Sequence, residues 1–156
     1  MELKIRNNPK VVVIERTNAR YLTKETLYGK APFNFASVAV IDVSFISLSK
    51  ILPAVYHLLS DNGEVAALVK PQFEAGREFV EKGGVIKNKN IHVMVLKNIG
   101  EKALKIGFKV LKTIESPIKG ADGNIEFFIH LIKQGEDNDE NWDIYKRQWW
   151  KSIGRS

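Results

Sequence analysis

The chain contains no cysteine and only three histidines, His57, His92 and His130. Without cysteine, it has no disulfide, no thiolate metal site and no cysteine nucleophile. The three histidines are far apart in the sequence and lack the spacing of metal ligands. The sequence therefore predicts a protein that binds no metal.

Long apolar runs are missing as well. The longest, such as residues 36–43, are far shorter than the about 20 residues that span a bilayer. Residues 1–6 alternate charged and apolar side chains and form no apolar core of a signal peptide. We therefore expect neither membrane insertion nor secretion, which leaves the cytoplasm as the expected location.

Positive charge exceeds negative charge. The 156 residues include 24 Lys and Arg against 18 Asp and Glu, a net charge of +6. Residues 135–143 contain several of the acids and no base, so the rest of the chain is more basic than the total suggests. A basic surface favours a polyanionic partner such as nucleic acid. A lysine-rich solubilising surface explains the charge equally well.

Short apolar runs alternate with amphipathic stretches, a pattern typical of βα units in a largely parallel sheet. The predicted parallel strands are residues 11–14, 37–42 and 64–70. Helical spacing of apolar residues predicts helices over about 47–60 and 90–106. The glycine-containing stretch 72–89 predicts a long mobile loop.

Two further strand-like runs, Phe108–Glu115 and Ile125–Lys133, predict an antiparallel hairpin at one edge of the sheet. We therefore expect an α/β fold with five strands, three parallel ones followed by the hairpin, and helices on both faces. Beyond it, the tail 134–156 is acidic first, then basic and aromatic. Its aromatic residues could stack on RNA bases or pack a terminal helix onto the domain, because Trp142, Tyr145 and Trp149 have helical spacing.

Polar residues follow the predicted strands at the edge where ligands bind in parallel α/β sheets. Asp42 ends the second predicted strand and Lys70 ends the third, so they become neighbours if these strands pair. Such a pair suits acid–base chemistry, because a lysine with a lowered pKa can accept a proton from a hydroxyl. Glu126 begins the last strand and could close the group from the sheet edge.

Each of these residues also has an ordinary explanation. An aspartate after a strand often caps a helix or forms a turn, and a lysine at a strand end is often solvated. Glu126 could simply pair with Lys119. The three residues gain weight only when they are considered together with the sequences around them.

Four motifs follow one another along the chain. They are ERTNARYL from Glu15, DVSFISL from Asp42, LVKPQFEAGR from Leu68 and SPIKGADGNIEF from Ser116. Together they resemble the bacterial TlyA family, also called hemolysin A, which comprises 2′-O-ribose methyltransferases of ribosomal RNA related to the FtsJ-type enzymes. The resemblance covers about residues 1–133.

The resemblance implies a Rossmann-like domain that uses S-adenosylmethionine, preceded in the family by an S4-type RNA-binding domain. It also implies a Lys-Asp-Lys-Glu tetrad, in which Asp42 is the aspartate, Lys70 the second lysine and Glu126 the glutamate. In such sites the lysine activates the ribose 2′-hydroxyl for attack on the cofactor methyl, and the acids orient and tune it. Asn18 falls where relatives contact the cofactor adenine, and Asp42 lies beside the methyl donor.

The S4 domain, the first tetrad lysine, the Gly-rich turn and the first two strands of the family have no counterpart in this sequence. We therefore expect residues 1–133 to be the carboxyl-terminal part of an FtsJ-like methyltransferase domain, with 134–156 as a tail. On this interpretation the isolated chain is catalytically incomplete and its partner is ribosomal RNA or a ribosomal subunit. The unpaired sheet edge favours self-association.

Two other functions stay open at this point. One is a remnant that binds RNA without catalysis. The other is a membrane-active hemolysin, which the absence of a bilayer-length segment disfavours.

Overall fold

The computed structural model describes residues 3–135 and, within the tail, Arg147, Trp149, Lys151 and Ile153. The helices are α1 (Leu3–Arg6), α2 (Lys24–Tyr28), α3 (Leu52–Leu58), α4 (Pro71–Glu74) and α5 (Lys89–Ile106). The strands are β1 (Ala36–Ile41), β2 (Leu59–Val69), β3 (Phe108–Glu115) and β4 (Phe127–Lys133). Short 3₁₀ turns lie at Ala19–Tyr21, Leu48–Lys50, Arg77–Phe79 and Ala121–Gly123.

The four strands form one mixed sheet in the order β1-β2-β4-β3. β1 and β2 are parallel, with Ile41 opposite Ala67. β4 is antiparallel to both of its neighbours, and it places Ile129 opposite Ala67 of β2. The structure therefore confirms the α/β class and the antiparallel hairpin at the sheet edge.

The run Val11–Ile14 is not a strand, and this part of the prediction is wrong. Within the described residues it pairs with no strand, and Val12 is 82% exposed. β-branched residues favour strands mainly because they pack well against neighbouring strands, and β1 does not pair with this run. The described part of the chain thus contains four strands instead of five, and two parallel strands instead of three.

Helices cover one face of the sheet. On that face, side chains of β2 and β4 join residues of α3 and α5 in one hydrophobic cluster, which includes Val65, Ala67, Ile129, Leu131, Leu52, Val95 and Ile99. Alternate residues point to the opposite face, where Val38, Val40, Ile114 and Phe128 are exposed. The expectation of helices on both faces is therefore not met by the described residues.

Helix α5 closely matches its prediction. Asn88 caps its start by accepting a hydrogen bond from the backbone N–H of Asn90. The apolar positions Val95, Ile99 and Ala103 recur at helical spacing and are buried. Gly107 ends the helix in the left-handed region, at φ 114°, which a residue with a side chain adopts only at a cost.

The other predicted helix is shorter than expected. Ser47 caps a 3₁₀ turn, α3 follows only from Leu52 to Leu58, and β2 begins directly at Leu59. The predicted loop over 72–89 is also more ordered than expected, since it starts within α4 and buries Ile86. The Ser47 cap and the burial of Ile86 each depend on a single residue, so they produce no periodic pattern of apolar residues in the sequence.

Part of the tail packs onto the domain. Trp149 and Ile153 are helical and buried in the same core as the sheet. The Trp149 ring lies against Gly100 of α5, where an added methyl group would overlap it. For Trp149 the structure thus favours packing over RNA stacking, whereas Trp142 and Tyr145 lie outside the described residues.

Among the described residues, β1 lies at an edge of the sheet and pairs on one side only, and we predict that a second copy of the chain associates with this edge. β1 carries no charged residue and no proline, which are common obstacles to pairing at a sheet edge. We expect light scattering to show dimers or larger species whose share grows with protein concentration. Val40→Lys should shift the chain towards monomer, because it places a charge on the exposed strand.

Val12→Lys is the matched control, since Val12 is similarly exposed but lies outside the sheet. A monomer at every concentration for the unmodified chain would reject self-association. Equal responses to the two substitutions would reject the β1 edge as the contact.

Candidate functional site

Asp42 and Lys70 form an ion pair at the end of the two parallel strands. Each residue directly follows its strand, and the register between β1 and β2 brings both to the same edge. Lys70 Nζ lies 2.7 Å from Asp42 Oδ1 and donates a hydrogen bond to Ser44 Oγ at 3.1 Å. The Lys70 side chain is only 14% exposed, whereas that of Asp42 is 66% exposed. The pair thus holds a sheltered ammonium beside a carboxylate that is open to a ligand.

The segment after Asp42 adopts an unusual backbone. Phe45 has φ 61°, a left-handed conformation that is uncommon for an aromatic residue. Its side chain is 90% exposed, and its ring centroid lies 4.8 Å from that of Phe73. Such conformations cluster at functional sites, where surrounding contacts hold them. Nothing in the sequence pattern predicts this geometry.

Glu126 lies immediately before β4 and is buried, with 6% of its surface exposed. Its Oε1 accepts a hydrogen bond from Gln72 Nε2 at 3.4 Å. The carboxylate also lies against the backbone of Gly120, where an added methyl group would overlap it. The structure therefore pairs Glu126 with Gln72, and the alternative pairing with Lys119 is not observed.

The turn that follows Lys70 connects the three predicted residues. Lys70 contacts Asp42 directly, and Gln72, two residues later, contacts Glu126. Among the described residues, no hydrogen bond or ion pair joins Glu126 directly to Asp42 or Lys70. Gln72 was missed by the sequence analysis, and the one available signal was its place in the motif two residues after the lysine.

Glu74 holds the two strand-end loops together. Its Oε2 accepts a hydrogen bond from Ser47 Oγ, and its Oε1 accepts one from the backbone N–H of Leu48, both at 2.6 Å. Burial raises the pKa of the Glu74 carboxyl, although these two hydrogen bonds act in the opposite direction. Because burial favours the neutral form, the contribution of this group to stability falls as the pH rises from the ordinary value through the raised pKa.

Asn124 fixes the loop that leads to Glu126. Its Oδ1 accepts from the backbone N–H of Ile86 at 3.1 Å, and its Nδ2 donates to the carbonyl oxygens of Gly84 and Ala121, both at 3.0 Å. The ring of His92 makes a further hydrogen bond to the carbonyl oxygen of Ile86 at 2.9 Å. This buried amide therefore ties the loop before α5 to the segment that carries Glu126.

Asn18 lies apart from these groups. Its Oδ1 accepts a hydrogen bond from the backbone N–H of Arg20 and so caps the turn Ala19–Tyr21. In the described part of the chain, no hydrogen bond connects Asn18 with Asp42, Lys70 or Glu126.

Across residues 3–135 and the four described tail positions, no group of three His, Cys, Asp or Glu residues is arranged to hold a metal ion.

Asn124→Ala should destabilise the fold by roughly 2–4 kcal/mol, because it leaves the buried backbone N–H of Ile86 without its partner and removes two more hydrogen bonds. Urea unfolding followed by circular dichroism measures this change. Asn98→Ala is the control, since Asn98 is exposed on α5. A loss no greater than that of the control would show that Asn124 does not hold this loop.

A family model described as FtsJ-like methyltransferase matches residues 1–133. YqxC of Bacillus subtilis, provisionally named an rRNA methyltransferase, is 46% identical over 133 residues, which are 85% of this chain and 46% of that protein. The 16S/23S rRNA (cytidine-2′-O)-methyltransferase TlyA of Mycobacterium tuberculosis is 38% identical over 130 residues, which are 83% of this chain and 47% of that protein. The chain thus spans about half the length of these two relatives.

A solved structure from Lactococcus lactis is similar over most of the chain. It belongs to a protein provisionally named a hemolysin and is 42% identical, with a TM-score of 0.79. The match covers 94% of this chain and 70% of the solved one. Sequence and structure therefore agree, and the chain belongs to the FtsJ-like methyltransferase family.

Proposed function

We propose that residues 1–133 form the carboxyl-terminal part of the catalytic domain of a ribosomal RNA 2′-O-ribose methyltransferase that uses S-adenosylmethionine. The observation that carries the proposal is the ion pair between Lys70 and Asp42 at the carboxyl end of two parallel strands. Glu126, immediately before β4, accepts a hydrogen bond from Gln72 of the turn that follows Lys70. These are the three residues that the family resemblance assigns to the tetrad.

Lys70 is the group that receives the proton in this reaction. The ion-paired ammonium of Lys70 first releases one proton to solvent. The neutral amine, held by Asp42 and Ser44, then accepts the proton of the ribose 2′-hydroxyl as the O–H bond breaks. S-adenosylmethionine supplies an electrophilic methyl group bonded to a positively charged sulfur. When bound, this cofactor would supply the methyl group to the ribose oxygen, and the electrons of the former carbon–sulfur bond would remain on sulfur.

Two residues fit the cofactor. The Asp42 carboxylate is open at the strand end, and a negative charge there is favourable beside a positively charged sulfur. Asn18 uses its amide oxygen in the turn cap, so its exposed amide nitrogen can donate to a nitrogen acceptor of the adenine ring. The cofactor roles of Asn18 and Asp42 are part of this proposal.

The proposed substrate is ribosomal RNA, alone or within a ribosomal subunit. The net charge of +6 favours binding to a polyanion, and the relative from Mycobacterium tuberculosis carries an rRNA methyltransferase name. A ribosomal substrate implies a protein that works in the cytoplasm. We assign residues 1–133 to the carboxyl-terminal part of the methyltransferase domain and residues 134–156 to a tail.

A purely RNA-binding role is the second candidate, and it is favoured by the same excess of basic residues. It differs from the first in requiring no contribution from Lys70. The hemolysin name of one relative supplies a third candidate. Within the described residues, no helix is both long enough and apolar enough to cross a membrane.

The first test replaces the matching region of the Mycobacterium tuberculosis TlyA with residues 1–133 and measures tritium transfer from labelled S-adenosylmethionine to ribosomal subunits. Lys70→Ala should lower kcat about 10²–10⁴-fold, the usual contribution of a general base, with cofactor affinity nearly unchanged. Asp42→Ala should lower both kcat and cofactor affinity, because its carboxylate pairs with Lys70 and lies at the strand end where we propose that the methyl donor binds.

Lys82→Ala is the control, because Lys82 is an exposed lysine of the glycine-containing loop. Retention of activity by Lys70→Ala would refute the proposed role of Lys70. The same assay on the 156-residue chain alone tests the expectation that the isolated chain is catalytically incomplete, and turnover above a blank without protein would overturn that expectation.

Affinity for a ribosomal RNA fragment should fall as salt rises, because each phosphate contact releases counterions and adds a slope of about −0.7 in log K against log salt for single strands. Fluorescence anisotropy of a labelled fragment measures this slope. Lys70→Ala should preserve most of the affinity, since one lysine supplies at most one such contact. An affinity independent of salt would contradict binding through the basic surface.

A further inference from the structure

We propose that Glu74 is a positioning residue that holds the Asp42–Lys70 pair in its working geometry. This inference rests on the proposed function, because that pair has a catalytic role only if the protein transfers methyl groups. Glu74 does not itself contact the pair, so it acts through the loops that carry the two residues.

Glu74 makes two contacts with the segment that follows β1. Its two carboxylate oxygens accept hydrogen bonds from Ser47 Oγ and from the backbone N–H of Leu48, both at 2.6 Å. Ser47 and Leu48 belong to the segment that follows β1, whereas Glu74 ends α4, which follows β2. The carboxylate therefore connects two segments that are 26 residues apart in the chain.

The same two segments meet again at Lys70. Lys70 Nζ contacts Asp42 and Ser44, which lie before Ser47 in the first segment. The segments 42–48 and 70–74 are thus connected at both ends, by the ion pair at one end and by Glu74 at the other. We call this arrangement the double-loop clasp. Because both ends are fixed, neither segment can slide along the other without breaking polar contacts.

The two contacts of Glu74 differ in what their loss would cost. Leu48 is buried, and the backbone N–H that it presents to Glu74 would lose its partner on truncation, which is costly inside a protein. Ser47, in contrast, retains its hydrogen bonds to Ser49. Loss of the carboxylate should therefore release the first segment from α4 while leaving the local 3₁₀ turn in place.

Glutamine distinguishes geometry from charge at this position. Its Oε1 can still accept from the Leu48 N–H, and its amide can donate to the Ser47 hydroxyl, which is able to accept. Lys102 of α5 carries a positive charge that favours the ionised form of Glu74 and so lowers its pKa, and it donates to Ser49 Oγ at 3.5 Å. If Glu74 acts by position, Glu74→Gln should behave like the unmodified chain and Glu74→Ala should not.

The experiment measures the Lys70 ammonium group directly by ¹H–¹⁵N correlation NMR of the 156-residue chain at low temperature. Loss of one signal in Lys70→Arg identifies the Lys70 ammonium. We expect Glu74→Ala to raise its proton exchange with water about tenfold, the factor expected when hydrogen bonds worth about 1.4 kcal/mol are lost. Glu74→Gln and the exposed control Glu81→Ala should leave the signal unchanged.

An unchanged Lys70 signal in a folded Glu74→Ala chain would overturn the proposal, because Glu74 would then be structural only. A Glu74→Gln chain that behaves like Glu74→Ala would overturn it as well, since charge and not position would then decide. If Glu74→Ala does not fold, Ser47→Ala removes one of the two contacts, and an unaltered Lys70 signal in that variant rejects the proposal.

This readout requires no enzymatic activity, so its failure differs from failure of the proposed function. If the chimera with Lys70→Ala retains methyl transfer, the proposed catalytic role of Lys70 is refuted. The contacts of the double-loop clasp would still be present in the unmodified chain. In an active chimera, Glu74→Ala should lower kcat per folded molecule, with the folded fraction measured by circular dichroism and with little change in the KM for S-adenosylmethionine. A general loss of folding would lower the folded fraction and leave kcat per folded molecule unchanged.

Discussion

β1 and β2 run parallel, with Ile41 opposite Ala67, and the polar groups of the site depend on this pairing. A parallel pair requires a crossover, here α3, and it places both strand ends at one edge of the sheet. Asp42 and Lys70 consequently meet without any further adjustment of the chain. β4, which runs antiparallel beside β2, begins at this same edge and brings Glu126 to it from the other side. Packing in the apolar core thus fixes the positions of the strands, and these positions determine where Asp42, Lys70 and Glu126 lie.

The three carboxylates near this edge differ in their exposure to solvent and in their hydrogen-bond partners. Asp42 is exposed and ion-paired, so it remains available to a ligand. Glu126 is buried against Gly120 and Gln72, where its position is constrained. Glu74 is withdrawn between two loops, and burial raises its pKa. Burial and hydrogen bonding alone thus give three acids of similar chemistry three different environments.

The sequence predicted features that depend on local pattern. Helix α5 carries its apolar periodicity, its cap and its final glycine in one continuous stretch, and the hairpin strands are likewise self-contained. The run Val11–Ile14 is as rich in β-branched residues as a strand, but within the described part of the chain no strand pairs with it, and the local sequence does not determine which strands become neighbours. Asp42, Lys70 and Glu126 were identified because strand ends and motifs mark them. Glu74 and Asn124 were missed because their partners lie 26 and 38 residues away.

Gly100 has a consequence for how this chain can change over evolutionary time. A glycine inside a helix costs about 1 kcal/mol relative to alanine, yet here it creates the space into which the Trp149 ring fits. Trp149 lies beyond residue 133, where the match to the family model ends. A helix inside the region that the family model matches is therefore shaped to a side chain that lies outside that region. Substitutions at the two positions are coupled, so a bulkier residue at 100 becomes acceptable only after the tryptophan has been replaced.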